Sequence, residues 1–451
     1  MRFNPSPRLT AFLSFLLFAS PLSAQDFQDA GYQRSYTIHA DAAWIAPGQQ
    51  ISPAYVTLTK GVITRVSQRA PEEKKGMFGM GGSTPRILKV SGTLAAGMVD
   101  LWSGLGKDLQ GGDRHAVSSR RMKDNLLLGT ADAQDQQLVS QILGVRDAGV
   151  ALTYLSFSSG GMQRGLGVSA SFNVQNLLHA EGAEVLELSL PGDAVSVHAT
   201  AEGFREIFSD AQAWRDSWDE YDGKLEKYKE KLEKYKKELQ EYLDKKDEEK
   251  KESAAGQESK DKKEEKLPTR PKPPKKPQNK SARDDVLAAM DGKSLVRLEA
   301  HSFLAIQEAI ALKKEFGLSL FLVGGDDAHQ LASELADAQI PVVLSLSTDE
   351  SGGFPEQNML SRWMTLEDHG VIVALSSGGL HKDLLFMAGQ LIAQGADSEE
   401  VWSALTTIPA GILRLSEDFG RVRVGQSGSL LLFEGASPFD ASAAVRAHKP
   451  R

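Results

Sequence analysis

The chain has 451 residues, a hydrophobic fraction of 41% and a formal net charge of −8. That length accommodates one large domain and a smaller one, and the acidic balance excludes a general nucleic-acid binder. With no cysteine anywhere, disulfides and thiol-linked lipid anchors are excluded too.

Residues 1–24 read as a secretory signal. Arg2 and Arg8 supply a positive start, Leu9 to Ala19 is an apolar run too short to span a bilayer comfortably, and Pro21-Leu22-Ser23-Ala24 offers a cleavage site before Gln25. An uncleaved anchor is the alternative. An exported chain without disulfides fits a bacterial envelope. The expectation is a periplasmic or extracellular protein with no stable membrane span after cleavage.

From Ser35 to about Val90 the text is short and β-like. Tyr36–Ile38, Ala42–Ile45, Ala54–Leu58 and Val62–Thr64 are apolar or β-branched runs punctuated by Pro-Gly and Lys-Gly pairs. Met77–Gly82 reads as an exposed loop inserted in this small sheet. From about Thr93, buried strands alternate with amphipathic helices. The strand candidates are Gly97–Leu101, Val150–Phe157, Ala183–Leu190, Leu295–Ala300, Leu318–Val323, Pro341–Leu346 and Gly370–Leu375. Helices include Phe303–Phe316, His329–Ala338 and Leu380–Gln394. This alternation predicts a parallel α/β architecture. Without the insertion described next, about 250 residues remain, the usual size of a TIM-like (β/α)8 barrel. Gly420–Gly425 and Ser429–Phe433 then read as two short strands.

Residues 213–283 are foreign to that plan. Trp214, Trp218, Tyr221, Leu225, Tyr228, Leu232, Tyr235, Leu239 and Tyr242 recur at alternating spacings of four and three, a coiled-coil-like heptad seam. Lys and Glu alternate between them at helix-pairing distance. The seam needs a cover, which another subunit, a partner protein or the barrel's own surface could supply. The bland alternative is a solitary helix held by ion pairs. After Leu243 the text turns to Asp, Glu and Lys, and then to five prolines among bases from Pro268 to Pro277. This part is expected to stay disordered, as a flexible return strap. The glycosylation pattern at Asn279–Ser281 is read as chance.

Three segments resemble the imidazolonepropionase-like amidohydrolases, and the resemblance covers nearly all of the mature chain except the insertion. The first is Gly97-Met-Val-Asp-Leu-Trp-Ser-Gly-Leu-Gly106. The second is Leu298-Glu-Ala-His301 with the Ala-rich helix and Glu315-Phe-Gly-Leu318 after it. The third and most specific runs from Glu400 through Thr406-Thr-Ile-Pro-Ala410 to Phe419-Gly-Arg-Val-Arg-Val-Gly425 and Leu430–Phe433. The resemblance implies a barrel, 96–415, flanked by a β-sandwich built from both chain ends, 25–95 and 416–451.

It also implies up to two catalytic divalent metals at the strand ends. Their ligands are an Asp-x-His-x-His pair after strand one, often a carbamylated Lys after strand four, His after strands five and six, and Asp after strand eight. Here Asp100 is kept, but Trp102 and Gly104 stand where the two His belong. No Lys ends the Ala183–Leu190 strand. The strand-five ligand falls on Glu299, the strand-six His on Gly324 or Gly325, and the terminal Asp on Ser377 or Gly378. Indole has no free lone pair and glycine has no side chain, so the usual metal site is not expected.

Polar residues at the presumed mouth offer a relocated site. Glu299, His301, Asp326 and His381 are the catalytic candidates, with Asp113, His115, Asp327, Asp349, Glu350 and Asp383 nearby in sequence. Glu299 with Asp326 could act as acid and base, or with His381 bind a metal. The structural alternative is helix capping, which suits Asp326 and Asp327. The glycine-rich stretch Ser158–Gly167 lacks the Gly-Lys-Ser/Thr ending of a phosphate loop and reads as backbone packed across the barrel mouth.

The sequence therefore predicts an exported amidohydrolase-fold protein without the usual metal or another cofactor. Its expected role is a non-catalytic binding or partner subunit, in a homo-oligomer or with an active paralogue, docked through the Trp214–Tyr242 helix. Two alternatives stand beside it. One is an active hydrolase of carbon–nitrogen bonds with an atypical site, which would use a zinc-like metal. The other is a periplasmic small-ligand binder.

Overall fold

The computed structural model describes residues 35–72, 86–105, 136–156, 163–172, 178–190, 193–254, 266–278, 284–346, 359–435, 437–439 and 445–448. The signal segment, the Met77–Gly82 loop, Asp113, His115, the Asn279–Ser281 pattern, Asp349 and Glu350 lie outside them. Among the described residues no helix is long and apolar enough to cross a membrane.

The small β domain draws on both chain ends. One sheet joins β5 (Val62–Ser67), β4 (Ala54–Thr59), β1 (Ser35–Ala40) and β6 (Arg86–Lys89). The second joins β17 (Val445–Ala447), β16 (Leu430–Phe433), β7 (Thr93–Ala96), β2 (Ala42–Ala46) and β3 (Gln49–Ile51). Alternation directs the packing: in β4, Ala54, Val56 and Leu58 are buried while Tyr55, Thr57 and Thr59 are half-buried. Leu94 and Ala96 from one end and Leu430 and Leu432 from the other share this core. Gly420–Gly425 is no strand. Arg421 donates its backbone N–H to the Gln426 side chain at 2.8 Å, and Gly420 and Gly425 both take φ of 96°. The second terminal strand is β17 instead.

Eight strands form a nearly closed barrel, ordered β8 (Met98–Asp100), β9 (Val150–Leu155), β10 (Gln163–Ser171), β11 (His179–Ser189), β12 (Leu295–Ala300), β13 (Leu320–Gly324), β14 (Val342–Ser345), β15 (Val373–Ser376). Seven follow the expected runs. The eighth corrects the expectation of an all-parallel barrel. The Ser158–Gly167 stretch, read above as a mouth loop, leads into β10, which is antiparallel to both neighbours. Only residues 156–162 separate β9 from β10, and a parallel crossover needs about a dozen residues or more. Its glycine has a packing reason. A Cβ on Gly167 would lie 1.9 Å from the Tyr154 hydroxyl, so β10 must leave that face bare.

Inside the barrel pack Val99, Leu101, Tyr154, Val185, Phe321 and Val323. Their strand neighbours face the outer helices: α1 (Gln136–Asp147), α2 (Ala194–Ala254), α3 (Asp284–Met290), α4 (Phe303–Phe316), α5 (Ala332–Asp337), α6 (Met359–Asp368), α7 (Leu384–Ala393), α8 (Ser398–Leu405) and α9 (Thr407–Ile412).

The arm does not begin at Ala213. Helix α2 starts as the outer helix between β11 and β12, burying Val197, Ala201, Phe204, Phe208 and Ala211. Phe208 stacks on Phe316 of α4 at 4.8 Å, and Arg205 grips Glu308 at 2.9 Å and Glu315 at 2.8 Å. The same helix then runs on unbroken to Ala254. The strap expected to stay disordered lies along it over residues 266–278. Trp214 donates to the Gln278 carbonyl at 2.8 Å, and the Lys276 ammonium sits 5.4 Å from the Trp218 ring centre.

Candidate functional site at the barrel mouth

Strand β12 reads Leu-Val-Arg-Leu-Glu-Ala and is followed by His301. Period-two alternation turns Val296, Leu298 and Ala300 into the helix layer. It sends Arg297, Glu299 and His301 together along the opposite face. Arg297 is 1% exposed and Glu187 of β11 is fully buried. The Arg297 guanidinium lies 3.7 Å from Glu187 and 3.6 Å from Glu299, and 5.6 Å from the centre of the Tyr154 ring. Burial, followed by the Glu187 charge, pushes the Tyr154 phenol well above its ordinary range.

Nearer solvent, His301 Nδ1 meets Asp326 at 3.0 Å and Nε2 approaches Glu299 at 3.9 Å. The hydrogen bond to Asp326, then that to Glu299, raises the imidazole from 6.5 to about 9. Asp326 is lowered chiefly by the same bond, with Arg362 of α6 adding attraction at 3.9 Å. Trp102 packs edge-on against the His301 ring at 6.0 Å between centroids.

Glu299, His301 and Asp326 thus come together as the sequence suggested, but as an ion-pair chain. His381 does not join them. It sits in the short turn His381–Asp383 after β15, half-buried, with Gly144 of α1 close by, and burial lowers its pKa. Asp327 makes no side-chain cap on the short helix that follows it; it accepts instead from the Phe303 N–H at 3.0 Å at the start of α4. Arg297, Glu187 and Tyr154 were not anticipated. The i, i+2, i+4 spacing of Arg297, Glu299 and His301 was the available signal.

Asp100 is saturated. It accepts from the backbone N–H of Trp102 at 3.1 Å and of Ser377 at 3.2 Å, from the Ser377 hydroxyl at 2.6 Å, and from the Ser376 hydroxyl. The Trp102 carbonyl receives the Gly379 N–H at 3.1 Å. These bonds stitch the end of β8 to the end of β15, where no strand ladder closes the barrel among the described residues.

The residues do not fit a metal centre of the expected kind. Trp102 stands at one ligand position. Gly104, Gly324 and Gly378 stand at others with φ of 74°, 103° and 62°, a left-handed backbone that L side chains rarely adopt. A Cβ on Gly324 would also lie 2.7 Å from the His301 ring. Both His301 nitrogens are turned to carboxylates, Nδ1 to Asp326 at 3.0 Å and Nε2 to Glu299 at 3.9 Å. Among the described residues, no group of three His, Asp or Glu side chains is arranged to hold a metal ion.

The His301 pairing gives a first prediction. Its folded pKa exceeds the unfolded value of 6.5, so its stabilising contribution is complete below that pH and is lost as pH rises through about 9. Asp326 runs the other way: its contribution is present above the ordinary carboxylate range and is lost as acid titrates it. An NMR titration should show His301 still protonated at neutral pH. Asp326→Asn should return the midpoint toward ordinary imidazole values, and an unmoved midpoint would refute the pairing.

Comparison with solved structures finds the same architecture. An amidohydrolase from Thermotoga maritima MSB8 superposes with a TM-score of 0.61 at 18% identity, covering 92% of this chain and 97% of that one. Atrazine chlorohydrolase from Arthrobacter aurescens TC1, in complex with zinc, gives 0.44 at 11% identity over 91% and 92%. An adenosine deaminase from Xanthomonas campestris, with bound zinc, gives 0.41 at 12% over 88% and 84%. No protein-family model and no curated protein matches the chain. The protein shares the fold of that Thermotoga amidohydrolase.

Proposed function

We propose that this protein is an exported barrel that has given up the metal chemistry of its fold and serves as a non-catalytic binding subunit. The carrying observation is that an indole and left-handed glycines stand at ligand positions, while His301 at the mouth is paired between Asp326 and Glu299. What the mouth offers instead is the Trp102 edge beside the His301–Asp326 pair, which suits a small ligand with a flat apolar face and a polar rim.

The test is metal content. Purified protein incubated with excess zinc and then dialysed should retain far less than one equivalent by plasma mass spectrometry. The double variant Trp102→His, Gly104→His should gain none, because restoring side chains does not restore the backbone around Gly324 and Gly378. Stoichiometric zinc in the wild type would overturn this function in favour of a hydrolase of carbon–nitrogen bonds.

A further inference from the structure

The aromatic seam of α2 is half-buried along its whole length, and so is every third residue of the strap. Pro268, Pro271, Pro274 and Pro277 are half-buried, while the residues between them are exposed. A burial period of three is that of a polyproline II helix. Two anchors, Trp214 to Gln278 and Trp218 to Lys276, fix the strap antiparallel to the helix. Three polyproline II residues advance about 9 Å and one α-helical heptad about 10.5 Å, so prolines three apart keep step with aromatics seven apart. Trp214, Tyr221, Tyr228, Tyr235 and Tyr242 are spaced by sevens and leave four gaps, and the strap presents four prolines at period three.

We infer that the Trp214–Tyr242 seam is built to receive this chain's own proline strap, and that the arm is a closed monomeric clasp rather than an oligomerisation helix. The flanks argue the same way. With Leu225, Leu232 and Leu239 at a, the tyrosines fall at d, where a second helix would bury their hydroxyls face to face. Lys224 and Lys231 then occupy g, and Lys229 and Lys236 occupy e. In a parallel pair of copies, Lys224 would meet Lys229 and Lys231 would meet Lys236. A proline strap avoids both costs. Tyrosine rings stack on pyrrolidine faces while their hydroxyls reach water.

The absence of native cysteine makes the test clean. Spin labels are placed on the full chain at Lys229→Cys and Lys272→Cys, both exposed positions. A seated strap gives a narrow separation within about 20 Å, the breadth of two packed elements. That separation should persist when labelled protein is diluted with unlabelled protein, and it should broaden in the variant Pro271→Ser, Pro274→Ser. A long, broad distance in the unsubstituted strap overturns the clasp. So does a short distance that vanishes on dilution, which would mean that the seam pairs two copies.

Discussion

Arg297→Met is expected to destabilise the fold by about 3–5 kcal/mol, the usual consequence of breaking a buried ion pair by removing one partner. Arg297 is 1% exposed, Glu187 is fully buried and Glu299 is 18% exposed. Methionine matches the volume but leaves Glu187 with no counter-charge in the barrel interior, beside a Tyr154 phenol already resistant to ionisation. The destabilisation comes mainly from that stranded charge rather than from lost contacts. The double variant Arg297→Met, Glu187→Gln should therefore recover most of it, because neutralising the acid removes the penalty. Urea denaturation of the wild type, both singles and the double gives the coupling directly. A loss below about 1 kcal/mol for Arg297→Met, or no recovery in the double, would show that the carboxylate is not held by the guanidinium.

The same cluster shows why part of the site was legible in the sequence and part was not. Glu299, His301 and Asp326 stood out because strand ends at a barrel mouth collect chemistry, and they do converge. Arg297 was passed over because Leu295–Ala300 scans as an apolar strand, and a cation inside it looks like an interruption. Its partner Glu187 lies 110 residues earlier, beyond the whole arm, so only the parallel pairing of β11 with β12 brings them together. The departure from the resemblance's ligand types at Trp102 and Gly104 was legible in the sequence. The deeper change, left-handed backbone at Gly104, Gly324 and Gly378, is visible only in three dimensions. Strand β10 was obscured by Gly165 and Gly167, which mark turns in most sequences; here Gly165 takes φ of 108° at a register shift, and Gly167 clears space for Tyr154 on the neighbouring strand. The heptad of α2 was plain, yet a heptad specifies a stripe and not its cover. The proline period that supplies the cover is three, a rhythm that neither helix nor strand patterning detects.

Asp100→Ala is expected to be the other severe substitution, costing about 3 kcal/mol or more through stranded donors. The kept Asp of the Asp-x-His-x-His resemblance is the residue a catalytic reading would credit with chemistry, yet here its oxygens accept from four donors on two strands. Asp100, Ser376 and Ser377 are all fully buried, so alanine would strand the Ser377 N–H and the Ser376 hydroxyl in a dry seam, while the Trp102 N–H keeps Ser376 Oγ at 2.8 Å and the Ser377 hydroxyl keeps the Trp102 carbonyl at 3.2 Å. Asn keeps the shape and one acceptor oxygen, and the serine hydroxyls can rotate to accept from its amide. Asp100→Asn should therefore be clearly milder than Asp100→Ala. Hydrogen exchange separates this from a general loss of stability. Because these bonds, rather than a ladder, join β8 to β15, the amides of Trp102, Ser377 and Gly379 should lose protection before those of the β12–β13 ladder. Asp100→Ala with wild-type melting and unchanged protection at those three amides would mean that the barrel closes without this carboxylate. The residue's retention would then need a functional explanation after all.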